Sequence, residues 1–183
     1  MTTKVYDAII IGAGSVGLPT AFFLAQAGLR PLVIDQFASP GQGSNKAAIG
    51  GIRATHSAPS KIRLCLKSIE IFSTWRETYG DNIEWYQGGY SFVAYRERDE
   101  RVLKDLLKIQ QSYGLDIRWL ERDDLLEVIP DLNPEGLIGG TYSPGDGSAS
   151  PLLTAHAFYT RARERGAEFR FRERVTGIIR RRG

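Results

Sequence analysis

Three glycines and one carboxylate carry the clearest chemical signal in this chain. Gly12, Gly14 and Gly17 form a G-x-G-x-x-G string inside Val-Tyr-Asp-Ala-Ile-Ile-Ile-Gly-Ala-Gly-Ser-Val-Gly. Asp35 follows at about the twenty-residue distance at which such a turn is joined by a ribose-binding acid. The absence of a Cβ allows a tight turn at Gly12, close approach of a pyrophosphate to the backbone at Gly14, and close packing of a helix on a strand at Gly17. Peptide dipoles at the start of that helix favour an anion by about 0.3–1 kcal/mol, and by up to about 2 kcal/mol in a sheltered site. Ser15 and Val16 lie within the same turn and Gln36 beside the acid, so all three join the candidate cofactor contacts. Asp35 can accept two ribose hydroxyls, and its charge repels a 2′-phosphate, so a dinucleotide with a free ribose is expected rather than NADP. The bland alternative is a glycine-rich turn in an α/β domain that binds no nucleotide.

These residues need a strand before them, a helix after them and a second strand ending at the acid. Residues 5–11 are a β-branched apolar run, read as a strand buried on both faces. Over residues 15–27 the positions Val16, Thr20, Phe23, Leu24 and Ala27 recur at helical spacing, and Gly28 stands where a C-cap is wanted. Pro19 falls near the end of the first turn, where its missing N–H costs no more than one backbone bond. Residues 31–35 complete the unit as a strand. Residues 8–29 hold no charge, and Lys4 with Ala25-Gln26-Ala27 imitates a secretory signal. The interior Gly12, Gly14, Gly17, Gly28, Pro19, Thr20 and Gln26, together with Asp7, argue against both a signal and a membrane span.

Residues 36–57 are rich in Gly, Ser and Ala and too long for a plain connection, which marks a functional or mobile loop. Residues 61–79 read as an amphipathic helix with Ile62, Leu66, Ile69, Phe72 and Tyr79 on one stripe, flanked by Cys65 and Trp75. Residues 84–96 read as two strands parted at Gly88-Gly89, where Trp85, Tyr86 and Tyr90 either pack a sheet or line a substrate pocket. Residues 98–113 form a second amphipathic helix with Val102, Leu106, Ile109 and Tyr113 inward. A strand at 117–120, a helix at 122–128 and a strand at 137–142 follow. Beyond a loop at 143–151, a helix at 152–165 ends at Gly166, and 168–172 with 175–179 are closing strands.

Composition narrows the partners. With 42% hydrophobic and 25% charged residues over 183 positions, the chain belongs with folded globular proteins. The net charge of +3 gathers partly in Arg180-Arg181-Arg182, where no aromatic residue is interleaved. A solvated strand end is therefore expected there, and no nucleic acid. Cys65 is the only cysteine, which excludes an internal disulfide and a cysteine-rich metal site and suits a reducing, cytoplasmic setting. His56 and His156 stand far apart without ligands at metal spacing, so no metal is expected.

FAD and NAD share the turn and the acid. An NAD domain usually continues with another compact βα unit, whereas here Asp35 leads into Gly41-Gln-Gly-Ser-Asn-Lys-Ala-Ala-Ile-Gly-Gly-Ile-Arg53. That loop has the backbone freedom to approach a large planar ligand, though its glycines could serve only to turn the chain. At this point the chain resembles the D-amino-acid-oxidase-like flavoprotein family, in particular its glycine oxidase, sarcosine oxidase β-subunit and amino-acid dehydrogenase branch. Gly12 to Gly28 matches the longer family pattern through Ala21, Leu24 and Gly28; Gly43-Ser44 matches its flavin-contacting loop. Gly88-Gly89-Tyr90 looks like the start of its substrate sheet, and Asp146-Gly147-Ser-Ala-Ser-Pro151 like the return to the FAD domain.

The resemblance implies FAD as cofactor, with Gly43, Ser44, Asn45 and Lys46 near the flavin and Val175 touching adenine through its backbone. Asn45 replaces a frequent second serine, Lys46 replaces a histidine of some sarcosine oxidases and Gly50 replaces an arginine, so covalent attachment through that histidine is not expected. Arg53 matches an arginine that holds the substrate carboxylate, and a surface arginine is the competing reading. The implied fold is α/β: a Rossmann-like FAD-binding domain at 1–82 and 144–183, interrupted at 83–143 by the first part of a mixed-sheet substrate domain. The implied reaction oxidises the C–N bond of a sarcosine-, glycine- or proline-like substrate by hydride transfer to flavin. No catalytic side chain is assigned, because the cofactor carries the redox chemistry. A flavin- or NAD-dependent dehydrogenase of a hydroxy acid or polyol phosphate, and a non-catalytic nucleotide-binding subunit, stay open as alternatives. Gly183 reads as the start of a turn, so a partner chain or a C-terminal half is expected to complete the enzyme.

Overall fold

The elements in chain order are β1 (Ala8–Ile11), α1 (Gly17–Gln26), β2 (Pro31–Asp35), β3 (Gly51–Ile52), α2 (Pro59–Ser73), α3 (Trp75–Tyr79), β4 (Tyr90–Ala94), α4 (Glu97–Ser112), β5 (Arg118–Glu121), α5 (Arg122–Val128), β6 (Gly139–Ser143), β7 (Gly147–Ser148), α6 (Pro151–Glu164) and β8 (Glu168–Phe171). They come from a computed structural model that describes residues 4–180. The chain divides into two units: the first runs to Gly50 and resumes at Ser150, and the second is Gly51–Ala149.

In the first unit β1, β2 and β8 form a parallel sheet in that order, with Ala8 opposite Pro31 and Asp35 opposite Phe171. Helix α1 carries the chain from β1 to β2 and stops in a left-handed Gly28 (φ 82°). There the Gly28 N–H bonds the Ala25 carbonyl and the Leu29 N–H the Leu24 carbonyl, the paired closure of a Schellman motif. Helix α6 begins at Ser150, whose Oγ accepts the Leu153 N–H at 3.4 Å, with Pro151 in its first turn. The two helices meet through Phe22 and Phe158, whose rings are edge to face at 5.5 Å.

Several expectations about this unit change. Helix α1 starts at Gly17, and its buried residues are Leu18, Ala21, Phe22 and Ala25 rather than the stripe through Val16, Phe23 and Ala27. The segment is apolar nearly all round, so two stripes satisfy the helical period, and the one carrying the small alanines packs. The β1 strand is likewise not buried on both faces: Ile9 and Ile11 are 61% and 60% exposed, while Ile10 faces the helix beneath Gly17.

In the second unit β4, β6 and β5 form an antiparallel sheet, with Phe92 opposite Thr141 and Trp119 opposite Thr141 on either side of the central strand. One cluster gathers Ala54, Leu107, Leu115 and Ile117 against Cys65, Leu66 and Ile69; another gathers Leu120, Leu125 and Leu137. Residues 51–82, expected with the nucleotide-binding portion, pack inside this unit because α2 lays its apolar side on the first cluster. The expected helix at 61–79 breaks at Thr74, which brings Trp75 from the flank of the stripe to full burial, its indole N–H on Asp81 at 3.2 Å. Helix α4 is also rotated from the expected stripe: Leu107 and Gln110 are buried, while Val102 and Ile109 are exposed. Residues 175–179 make no ladder among the described residues, and Ile178 and Ile179 are exposed, so the expected strand is not formed there. Arg181, Arg182 and Gly183, on which the basic run and the closing turn were placed, lie outside the described residues.

Candidate functional site

The glycine turn of the first unit assigns a separate physical role to each glycine. Gly12 has φ 105°, a conformation that side chains rarely adopt. A Cβ on Gly17 would stand 1.9 Å from the Gly12 carbonyl oxygen and 3.2 Å from Ile10 Cγ2, so helix and strand touch there without room for a methyl. A Cβ on Gly14 would meet nothing within 4 Å, so the outer side of the turn is open. Helix α1 has no side-chain cap and no acidic residue in its first turn, which leaves its leading amides for an anion.

Asp35 locks this turn from the end of β2. Its Oδ2 accepts the Ala13 N–H at 2.6 Å and its Oδ1 accepts the Phe37 N–H at 2.7 Å. Each carboxylate oxygen keeps further acceptor capacity beyond these bonds. A cleft of about 360 Å³ opens over Ile11, Gly12, Gly14, Asp35, Gln36 and Gly43, and is closed on one side by Glu173, Arg174 and Val175. Those last residues are brought in by two backbone bonds, Arg172 N–H to Phe37 O and Glu173 N–H to Asp35 O. The turn into them is held in a left-handed conformation by a non-glycine, Arg172 (φ 61°).

Of the candidate cofactor contacts, Gly12, Gly14, Asp35, Gln36, Gly43 and Val175 therefore share one cleft. Ser15 and Val16 are exposed on the same turn, and Gly17 lies beneath it. Ser44, Asn45 and Lys46 form a 3-10 turn; Asn45 Nδ2 donates to the Pro151 carbonyl at 2.9 Å, which ties the loop to the start of α6. Open space above Gly14, uncapped helix amides and an acid at the mouth suit the adenosine and pyrophosphate portions of FAD.

The second unit holds a smaller cleft, about 250 Å³, lined by Arg53, Thr55, His56, Ser57, Phe92, Leu103, Leu106, Gln110 and Thr141. The Arg53 guanidinium lies 5.4 Å from the Tyr90 ring centre and 5.1 Å from that of Phe92. Its Nη1 donates to the Thr55 carbonyl at 2.6 Å and faces the Thr55 hydroxyl at 3.2 Å. Nε and Nη2 make no hydrogen bond among the described residues, so one edge of the fork keeps its donors free. His56 is held below its usual pKa by burial and by the Arg53 and Lys61 charges, and at neutral pH it adds no cation. Burial pushes the Cys65 thiol up, which keeps it protonated and unreactive.

Tyr90 thus stacks beneath Arg53, whereas Tyr86 is exposed and Trp85 lies on Phe72 at 6.5 Å. Phe92, Gln110 and Thr141 are site residues that the sequence reading passes over. The alternation of Tyr90 and Phe92 on one strand face signals the first. A buried polar residue within the packing face of α4 signals the second. Among the described residues no group of three or more His, Cys, Asp or Glu side chains could hold a metal ion. No described helix is long and apolar enough to cross a membrane.

Residues 7–183 match the family model of the FAD dependent oxidoreductases. Dimethylglycine dehydrogenase of Rattus norvegicus is 28% identical over 94% of the chain and 20% of its own length. Glycine oxidase of Geobacillus kaustophilus is 30% identical over 87% of the chain and 44% of its own length. Among solved structures, L-proline dehydrogenase from P. horikoshii superposes with a TM-score of 0.90 at 28% identity, over 96% of this chain and 46% of that one. The chain thus spans half or less of the length of these relatives.

Proposed function

Because the chain belongs to the FAD dependent oxidoreductase family, we propose that the protein it forms oxidises the C–N bond of an amino acid or N-methyl amino acid. The observation that carries this reading is Arg53: a cation with one free edge, laid over Tyr90 and Phe92 in a lined cleft. The first unit would hold the adenosine and pyrophosphate of FAD, with Gly14 and the α1 amides on phosphate and Asp35 on ribose. Bound FAD supplies the acceptor for the electron pair and α-hydrogen removed from the substrate. In the second unit the Nε and Nη2 donors of Arg53 hold the substrate carboxylate, and the two rings fix the plane in which it lies. The amine, having lost a hydride, becomes an iminium ion, which water hydrolyses to a carbonyl compound and the remaining amine with release of a proton. The amino-acid chemistry named for the relatives, on dimethylglycine, glycine and proline, supports this substrate class. Elements outside this chain, in the same polypeptide or in a partner, complete the enzyme, and the single Cys65 suits a cytoplasmic setting.

In the full-length, FAD-loaded protein, anaerobic addition of sarcosine, glycine, proline or dimethylglycine is expected to bleach the oxidised flavin absorbance. Failure of all four to do so counts against the substrate class. Arg53→Lys keeps the charge and loses the planar fork, and the Michaelis constant for the best of these substrates is expected to rise about tenfold with little change in kcat. Unchanged kinetics return Arg53 to the role of a surface residue.

A further inference from the structure

We infer that Asp146 is a positioning residue that sets Arg53 and its aromatic floor in register for a carboxylate. The inference rests on the reading of Arg53 as the carboxylate anchor.

Among the described residues Asp146 is the one carboxylate whose residue is wholly buried, at 0% exposure. A buried carboxylate is costly unless it is hydrogen-bonded or paired. This one receives little in return. Its Oδ1 accepts the Ala54 N–H at 3.0 Å, and its Oδ2 is buried without a hydrogen-bond partner. Burial pushes the carboxyl up, against the pull of the Ala54 N–H, the neighbouring Ser143 hydroxyl and the Arg53 charge. A core position filled for stability alone would be better served by a neutral side chain, so the location of the acid is informative.

That location joins the two segments that build the Arg53 site. The side chain grips Ala54, the residue after Arg53, and the main-chain carbonyl of the same Asp146 accepts the Gly89 N–H at 2.9 Å, next to Tyr90. Directly after it, β7 pairs with β3, Ile52 opposite Gly147 and Gly51 opposite Ser148, while Ser148 exchanges both backbone bonds with Tyr86. The junction has no slack: a Cβ on Gly147 would lie 2.2 Å from the Tyr86 carbonyl oxygen. One residue therefore fixes the cation from one side and the ring beneath it from the other. The Arg53 charge also favours the ionised form of the Asp146 carboxyl.

The test uses the full-length, FAD-loaded protein and acetate, a carboxylate with no amine to oxidise, titrated calorimetrically into wild type, Asp146→Ala, Asp146→Asn, Arg53→Ala and the double variant Asp146→Ala/Arg53→Ala. Asp146→Ala leaves the Ala54 N–H buried and unmatched, and acetate is expected to bind about tenfold more weakly. Asp146→Asn keeps an acceptor for that N–H and is expected to recover most of the affinity. Once Arg53 is alanine, removing Asp146 should change acetate binding by less than about twofold, because a residue that acts through Arg53 has nothing left to position. Wild-type acetate affinity in a folded Asp146→Ala protein overturns the inference, as does an equal loss in the presence and absence of Arg53. Acetate binding that survives Arg53→Ala unchanged instead removes the carboxylate-anchor reading on which it rests.

Discussion

Gly17→Ala is expected to lower both the FAD content and the melting temperature of the full-length protein, whereas Gly14→Ala lowers FAD content alone. At Gly17 the added methyl would fall 1.9 Å from the Gly12 carbonyl oxygen and 3.1 Å from its carbon. Both are backbone atoms in the turn that follows β1, so α1 must move away from the strand. Overpacking of this kind costs about 1–3 kcal/mol, with a backbone clash at the upper end. At about 2–4 °C per kcal/mol for a domain of this size, the apoprotein should melt roughly 4–10 °C lower. The displaced helix carries its leading amides with it, so the anion site is lost as well. At Gly14 the methyl meets no protein atom within 4 Å and no left-handed conformation is required. The apoprotein should therefore melt as wild type does. The same methyl would occupy the space through which a pyrophosphate approaches the backbone, and FAD affinity should fall at least about tenfold. Scanning fluorimetry of the apoproteins and flavin content after reconstitution separate the two. A Gly14→Ala protein with full FAD, or one destabilised as much as Gly17→Ala, contradicts the division of roles.

The steric part of that division was legible in the sequence, because a glycine string after a β-branched run and before a helical period leaves few geometries: a positive φ at Gly12 and close packing at Gly17. The position of Asp35 was legible for the same reason, since the length of α1 and β2 fixes where the second strand ends. The buried face of α1 was not: Val16, Leu18, Phe22, Phe23 and Leu24 surround the helix with apolar side chains, and packing on α6 and on the sheet selects among them. In α4 the apolar stripe turned by about one residue because a polar side chain, Gln110, is drawn inward to donate to the His56 carbonyl at 3.2 Å. The second cleft was harder still. Arg53, Phe92, Gln110 and Thr141 come from a loop, two strands and a helix spread along the unit, and no local periodicity encodes their meeting. Asp146 could be seen as part of an Asp-Gly turn, but its burial depends on Ala54, which is 92 positions away in the chain.

Asp35→Ala is expected to lower FAD affinity by about one to two decades through the ribose alone, with a further loss from the turn it secures. The acid does two things at once. Its two short bonds, to Ala13 N–H and Phe37 N–H, hold the glycine turn against the end of β2. Its remaining acceptor capacity opens onto the cleft. Removing it leaves both amides without their charged acceptor, so the turn loses preorganisation before any ligand arrives. Asp35→Asn is intermediate, because the amide has one acceptor oxygen and must turn its NH₂ toward one of the two backbone donors. The ribose contribution can be isolated with ligand fragments in place of FAD. ADP and 2′-deoxy-ADP share every group except the hydroxyl that the acid is proposed to accept. In wild type the deoxy compound should bind about tenfold more weakly. In folded Asp35→Ala the two should bind alike, since the hydroxyl has lost its partner. Equal penalties for the deoxy compound in both proteins would confine Asp35 to fastening the turn, and would leave ribose recognition to another group in the cleft.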